Sequence, residues 1–402
     1  MGDFGTRKVL FWGPYTGNVG TIRAQINSAC VLKKLGQYDV ILVRAHSEFV
    51  GYESELIDAG IRIIDLGLSR MFPGLEKSRL LARRPYMLIC CIFGLLPLIG
   101  LLRKERPDVV IASLLTIPAL TAMIVSRQKI LRIVSIQGYP QFLGVDGSIA
   151  PLWKKTENSI RKFLWNLIFP FADLVLTMTD RTRRELISNT KLEATKVHVV
   201  ENPVINDHVL SALTSHSPHR WFNGNEPVLL GVGRLTTQKG FDILINAISI
   251  LKKRSQLVKC LILGEGEDRK MLEQMVRNLG LTENVSLLGH MLNPYPYMAH
   301  ADLFILSSRW EDPGHAIIEA ASLGLPIVTS DCPSGPSELV SNGAGGFIFR
   351  NGDSIHLADQ VQNALANPDA KKTDLARENA KRFTHLEHFN SLKGLIDLDP
   401  RI

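Results

Sequence analysis

Val228-Leu-Leu-Gly-Val-Gly-Arg-Leu-Thr-Thr-Gln-Lys-Gly240 decides how this chain folds. Residues 228–232 form a short apolar run that reads as a buried strand, and the apolar periodicity of 241–253 reads as a helix. The glycines between them let backbone approach a ligand closely, and Arg234 and Lys239 bring two cations into one loop. Downstream the alternation continues, with strands expected at 259–263, 285–288, 303–306, 327–329 and 347–349. Helices are expected at 268–279 and 353–366, and one or two more across 371–396, interrupted near Thr384. Upstream, strands are expected at 7–12, 40–44, 62–66, 108–112, 132–136, 173–178 and 196–200, with helices at 21–35, 116–127, 158–169 and 182–189. The polar stretch 206–226 reads as a linker.

Such alternation is the mark of parallel sheets covered by helices, here α/β with two doubly wound, Rossmann-like domains. The expected division is 1–205 and 206–384, with a last helix at about 385–402 packing back onto the first domain. Ligands of such folds bind outside the carboxyl ends of the strands, in the crevice between the domains.

A chain of 402 residues exceeds one ordinary core, and 45% hydrophobic with 21% charged residues is a globular composition. The formal charge of +7 favours anionic partners. No zinc-finger spacing, RNA-binding aromatic motif or long Arg/Lys tract points to nucleic acid. Five cysteines, odd in number and without a CxxC pair, argue against a disulfide framework or structural zinc and fit a reducing compartment. Because residues 7–13 already read as the first strand, no signal peptide is expected.

Residues 309–320, RWEDPGHAIIEA, hold two glutamates eight positions apart. Glu311 falls in the loop after strand 303–306, whereas Glu319 falls just over a turn into a helix at 315–323, with Pro313 and Gly314 marking the turn. The amides near Gly314, His315 and Ala316 form a helix N-terminus, a natural seat for phosphate. Two carboxylates for hydroxyls beside an anion seat suit a nucleoside-diphosphate sugar, and Arg234 with Lys239 can neutralise its diphosphate without metal as charge gathers on the leaving group. Taken singly, each motif reads equally well as surface charge or an ordinary strand–turn–helix. Leu263-Gly-Glu-Gly-Glu-Asp268 adds a second glycine-rich loop, with Gly264 and Gly266 leaving room for a flat ring or ribose. A third loop, Gly13-Pro-Tyr-Thr-Gly-Asn-Val-Gly20, is not GxGxxG, which disfavours a dinucleotide site.

In order and spacing these motifs resemble, over nearly the whole chain, the retaining family 4 glycosyltransferases (group 1, GT-B fold). Residues 231–240 are similar to that family's G-x-G-R-L-x-x-x-K-G loop, Glu311 to Glu319 to its E-x7-E motif, and 331–338, DCPSGPSE, to the loop that follows. Arg309-Trp-Glu-Asp-Pro stands where E-G-F is commoner. The resemblance implies two Rossmann-like domains facing each other across a cleft. Arg234 and Lys239 would hold the donor diphosphate, Glu319 the ribose, and Glu311 would lie by the transferred sugar. Amides of Gly314, His315 and Ala316 would meet sugar hydroxyls and phosphates, Gly264 and Gly266 would line the nucleobase pocket, and Gly233 would approach the donor. Gly20 matches the second glycine of an N-terminal pair whose first place holds Val19. Gln137 and Ser113 stand where His is common near the sugar, which touches sugar identity more than reaction type. The resemblance further implies retention at the anomeric carbon, no metal and no resident cofactor, with the donor phosphate taking the acceptor's proton.

Residues 85–102, PYMLICCIFGLLPLIGLL, are uncharged and flanked by Arg83, Arg84, Arg103 and Lys104. Eighteen residues broken by Gly94 and Pro97 barely reach the lower limit for a span. A fully buried helix is one reading; the favoured expectation is a helix lying on or dipping into a membrane surface, with its basic ends near anionic headgroups. Lys154, Lys155, Arg161, Lys162, Arg181, Arg183 and Arg184 read as solvated helix faces or as further membrane contacts, and His385 and His388 as surface positions. The resulting expectation is a hexosyltransferase peripheral on the cytoplasmic face of the inner membrane. It would move a sugar from a nucleotide donor, a UDP-sugar by preference, to a hydroxyl of a lipid-linked glycan in bacterial surface polysaccharide or lipopolysaccharide biosynthesis. The alternatives are a soluble enzyme making a small glycoside, an epimerase on the same paired fold, or a non-catalytic membrane-bound partner subunit.

Overall fold

The computed structural model describes residues 6–15, 20–46, 48–68, 93–138, 140, 152–205, 209, 211 and 216–399. Its strands are β1 (Lys8–Trp12), β2 (Asp39–Arg44), β3 (Arg62–Asp65), β4 (Val109–Ala112), β5 (Leu131–Ile136), β6 (Leu174–Thr177), β7 (Val197–Val199), β8 (Val228–Val232), β9 (Lys259–Leu263), β10 (Val285–Gly289), β11 (Leu303–Leu306), β12 (Ile327–Ser330) and β13 (Phe347–Phe349). In chain order the described helices begin with α1 (Gly20–Gly36), α2 (Glu53–Asp58), α3 (Leu95–Glu105), α4 (Thr116–Ser126), α5 (Leu152–Ile168) and α6 (Asp180–Asn189). There follow α7 (Phe241–Lys253), α8 (Arg269–Asn278), α9 (Tyr295–His300), α10 (His315–Ser322), α11 (Pro336–Leu339), α12 (Ser354–Ala366), α13 (Ala370–Ala380) and α14 (His385–Asp397). By contacts the chain divides into two units, Met1–Pro203 with His385–Ile402, and Val204–Thr384.

In the first unit seven parallel strands lie in the order β3-β2-β1-β4-β5-β6-β7 among the described residues. Both faces are covered, so its strands read as continuous apolar runs. Val9 and Phe11 of β1 pack into a layer with Ile22 and Leu32 of α1 and Leu392 and Ile396 of α14, whereas Leu10 and Trp12 pack with Leu98 and Leu102 of α3 and Met123 of α4. Burying each large side chain stabilises the fold by about 1.5–3 kcal/mol.

One expectation is corrected here. His388 is not a surface residue: it is buried, its Nε2 lying 2.7 Å from Ser28 Oγ on α1 and its Nδ1 2.7 Å from the Glu201 carbonyl. The carbonyl can only accept, so Nδ1 carries the proton and Nε2 accepts from the serine. The apolar stretch 85–102 lies outside the described residues up to residue 92; beyond that, α3 buries Leu98, Ile99, Leu101 and Leu102 in the core and exposes Leu96 and the preceding Phe93. Among the described residues no helix is long and apolar enough to cross a membrane.

In the second unit six parallel strands follow the order β10-β9-β8-β11-β12-β13. Leu229 packs with Leu244 and Ile248 of α7 and Val361 of α12, while Val228 and Leu230 meet Ile317 and Ala321 of α10 and Ala380 of α13. Part of the expected linker belongs to this unit. Trp221 and Phe222 pack against its second face, and the Lys259 ammonium lies 5.4 Å from the Trp221 ring centre. A polar composition hid two aromatic rings with somewhere to go. In each sheet the winding reverses once, between β1 and β4 and between β8 and β11, and the loops leaving those strands flank the crevice in which such folds bind ligands.

Candidate functional site

The β8–β11 switch point collects the charged residues singled out in the sequence. Four hydrogen bonds stitch the loop after β8 to the loop after β11. Ser307 Oγ donates to the Lys239 carbonyl at 2.9 Å, the Arg309 amide to Gln238 at 2.7 Å, Gln238 Nε2 to Trp310 at 3.0 Å, and Arg309 Nη1 to Thr237 at 2.8 Å. The Arg309 guanidinium also grips both oxygens of Asp242 at 2.9 and 2.7 Å, holding that carboxyl below its usual range despite burial. Gly240 sits at φ +61° with a Cβ position 2.1 Å from the Ser307 carbonyl, so no side chain fits there.

This frame brings Lys239 onto Glu311. The ammonium is ion-paired with Oε1 of the buried carboxylate, and Ser308 Oγ donates to the same oxygen at 2.7 Å. Ser330 Oγ holds the Ser308 carbonyl at 2.6 Å, tying β12 into the arrangement. His315, first residue of α10, feels both partners. Burial, and secondarily the Lys239 charge, push its imidazole down to about 4, with Glu311 opposing. It is therefore neutral near pH 7. Asp312–Pro313 is a cis peptide, Ser334 Oγ donates to Asp312 at 2.9 Å, and Gly314 turns the chain into α10 at φ +93°. Helix α10 starts here with Gly314 as its N-cap residue and no side-chain cap. Glu319 lies about one turn farther along α10, where Tyr295 Oη donates to its Oε1 at 3.3 Å.

Arg234 differs from these. Its side chain is exposed and has no ion pair among the described residues, while its backbone runs beside Gly264. A Cβ on Gly264 would lie 1.8 Å from the Gly233 carbonyl, and one on Gly266 2.2 Å from that of Leu235. Both glycines are thus required by the packing of one loop on another, irrespective of any ligand. Sequence reasoning missed Tyr295 and the Asp242–Arg309 pair, because nothing local marks a tyrosine or aspartate as the partner of a residue tens of positions away, and it missed Ser308, three residues before Glu311, because a serine at a strand end carries no signal of its own.

In the first unit the polar groups at the ends of β5 and β7 are uncharged amides and hydroxyls. Gln137 Nε2 donates to Ser135 Oγ at 2.8 Å, and Asn202 Nδ2 donates to Gln137 Oε1 at 2.8 Å. A cavity of about 30 Å³ opens beside them, lined also by Gln25, Ser28 and Ser113, with room for about two waters. Both amide atoms of Gln25 are buried there without a protein partner. Glu48 is buried nearby in sequence to β2 and accepts from the amides of Tyr15 at 3.2 Å and His46 at 2.8 Å. Burial pushes its carboxyl up to about 7 against the pull of those amides. Gly20 opens α1 at the surface, and residues 16–19 of its loop, Val19 included, lie outside the described residues.

Residues 216–383 match the model of glycosyl transferases group 1, and residues 34–203 that of a glycosyl transferase 4-like domain. The chain belongs to the group 1 glycosyltransferases. An uncharacterized glycosyltransferase of Methanocaldococcus jannaschii is 32% identical over 178 residues, 44% of each chain. The N-acetylgalactosamine-N,N'-diacetylbacillosaminyl-diphospho-undecaprenol 4-alpha-N-acetylgalactosaminyltransferase of Campylobacter jejuni is 28% identical over 233 residues, 57% of this glycosyltransferase and 62% of that one. These matches span only about half the length of the curated relatives. The crystal structure of Anabaena HepE in complex with UDP superposes with a TM-score of 0.73 at 18% identity, covering 97% of this chain and 99% of that one, which establishes the GT-B fold.

Proposed function

We propose that this glycosyltransferase moves a sugar, with retention, from a UDP-sugar to a hydroxyl of a lipid-linked glycan in bacterial surface polysaccharide or lipopolysaccharide assembly. The observation that carries the reading is the Lys239–Glu311 pair buried at the β8–β11 switch point, beside the start of helix α10, which has no side-chain cap. A carboxylate holding the ammonium in the free protein keeps that cation in position for the donor diphosphate. On binding, the phosphates would take the ammonium and the α10 amides of Gly314, His315 and Ala316. Glu311 is then released to accept from a hydroxyl of the transferred sugar. Glu319, oriented by Tyr295, takes the ribose hydroxyls, and the nucleobase lies along the Gly264–Gly266 loop next to Gly233.

In the transfer step the acceptor oxygen attacks the anomeric carbon on the face from which the phosphate leaves. The bond to the phosphate oxygen breaks, the acceptor's proton passes to that oxygen, and the products are the glycoside and UDP. Charge gathers on the leaving diphosphate, where Lys239 and the solvent-facing Arg234 offset it with no metal ion or resident cofactor. Neutral His315 supplies a ring nitrogen and its amide without adding a competing charge. In the first unit, Gln137 and Gly20 are assigned to the sugar and phosphates, and the uncharged polar strand ends suit a saccharide acceptor. The lipid-linked acceptor and a place on the cytoplasmic face of the inner membrane draw support from the Campylobacter relative, whose name specifies a diphospho-undecaprenol substrate. The test is a screen of nucleotide-sugars for nucleoside diphosphate release, with and without polyprenyl-diphosphate glycans, with the anomeric configuration of the product read by NMR. Release of no nucleotide from any donor, or an inverted product, would overturn the proposal.

A further inference from the structure

Among the described residues two acids are buried, Glu311 and Glu48, and the proposed chemistry uses only the first. Glu311 is met by an ammonium. Glu48, 1% exposed, is met by backbone. Its Oε1 accepts from the Tyr15 amide at 3.2 Å and its Oε2 from the His46 amide at 2.8 Å, and the amides of Ala45 and of Glu48 itself draw on the same charge. Burial still outweighs these amides and raises the carboxyl to about 7. An apolar side chain would fill the same space without that desolvation, so packing alone gives no reason for an acid here.

The register of the sheet supplies one. β1 and β2 are parallel, and their last paired residues are Trp12 and Val43. Tyr15 and His46 each stand three residues beyond that pair, at equivalent places on the two outgoing loops. The pairing of the strands has ended there, and Pro14 has no N–H with which to extend it. One carboxyl, with an oxygen for each amide, joins the two loops where the strands no longer do. The loop so tied is the one that leads from the β1–β4 switch point to Gly20, first residue of α1.

We propose that Glu48 is a positioning residue for the transfer, tying the loop after β1 to the loop after β2 so that Gly20 is held in place for the donor phosphates. The inference rests on the proposed function, in which Gly20 meets those phosphates, and adds the residue that sets its loop. Glu48 touches no substrate and acts through the backbone of Tyr15. Most groups assigned to the nucleotide belong to the second unit, so the tether matters most when charge gathers on the leaving diphosphate.

The full chain is tested at about pH 8, above the carboxyl's value of about 7, so that both oxygens accept. Residue-resolved hydrogen exchange should show the Tyr15 amide of the wild type slowed about tenfold or more relative to unstructured chain. Glu48→Gln keeps the size of the side chain but only one accepting oxygen. That oxygen should stay with the nearer His46 amide, so exchange at Tyr15 should rise about tenfold. Glu48→Ala, which leaves neither amide its acceptor, should raise it at least as much. With a nucleotide-sugar and acceptor from the screen above, kcat of Glu48→Gln should fall about tenfold while the Kd of UDP stays within about twofold. A fast-exchanging Tyr15 amide in the wild type overturns the proposal whether or not either variant folds. Wild-type kcat in a variant whose Tyr15 exchange has risen also overturns it. So does a parallel loss of kcat, UDP affinity and melting temperature, which would make Glu48 a pin of the fold and nothing more. The exchange arm needs no substrate: a protected Tyr15 amide in a wild type that transfers nothing sinks the proposed activity and leaves the tether standing.

Discussion

The two switch points of this molecule share a topology and differ in chemistry. At β8–β11 an ammonium, a buried carboxylate, a neutral imidazole and a helix N-terminus meet within loops laced together by backbone hydrogen bonds. At β1–β4 and the adjoining strand ends the polar groups are chiefly amides and hydroxyls, among them the Gln137–Asn202 pair and the unpartnered Gln25, with the Glu48 carboxyl held by the Tyr15 and His46 amides. The glycines differ likewise. A Cβ on Gly264 would strike backbone, at 1.8 Å from the Gly233 carbonyl, whereas one on Gly13 would meet the movable ends of Gln25 and Ser113 at 2.5 and 2.6 Å. One architecture therefore supports a rigid, charged seat in one unit and a neutral, adjustable one in the other. That division suits a diphosphate donor on one side and a saccharide on the other.

The largest effect is expected from breaking the charged seat. Lys239→Ala or Glu319→Ala should lower transfer by about 10²–10³-fold, roughly 3–4 kcal/mol, with the protein still folded. Activity within about twofold of wild type would remove these residues from the site. The contrast between glycines comes next. Gly264→Ala combines a backbone clash with φ +146° and should cost roughly 3 kcal/mol, while Gly13→Ala should cost roughly 1 because side-chain ends can yield. Urea unfolding of both variants decides it, and equal losses would erase the distinction between rigid and adjustable seats.

Acid stability sharpens the comparison further, because buried groups of opposite kind pull against each other. The Glu48 carboxyl, raised from 4.5 to about 7, holds a proton in the folded state that the unfolded chain has released. Its contribution is present below pH 4.5 and is lost as the pH rises through 7. His388, lowered from 6.5 to about 4 chiefly by burial, and His315 likewise, refuse protons that the unfolded chain accepts, so their contribution is lost as the pH falls from 6.5 to 4. Glu48→Gln removes the counterweight. Its unfolding free energy should drop more steeply than that of wild type on acidification below pH 6.5, by up to about 1.4 kcal/mol per pH unit and roughly 2 kcal/mol in all. Parallel slopes would show that Glu48 does not titrate as placed. The smallest effect belongs to the neutral seat: a double-mutant cycle on Gln137→Ala and Asn202→Ala should report a coupling of about 1 kcal/mol, and a value near zero would mean that the amide pair is not held.

Much of this was legible along the chain. Continuous apolar runs such as 228–232 and 260–263 can be buried on both faces only in a helix-covered parallel sheet, so strand positions and fold class follow from local pattern. The short helices α2, α9 and α11 escaped notice because one or two turns carry too little periodicity. His388 was misread because its partners, Ser28 and Glu201, are hundreds of residues away in sequence. Trp221 and Phe222 were misread because polar neighbours masked them.

By itself the sequence determined the alternation of strands and helices, the glycine loops and the identities of Lys239, Glu311 and Glu319, since each depends on neighbours within one element or turn. Only the tertiary structure decided that Lys239 closes on Glu311, that Tyr295 orients Glu319 and that Gly264 yields to the Gly233 carbonyl. These are contacts between segments brought together by the winding of the sheets, and no local periodicity encodes which side chain will stand opposite which.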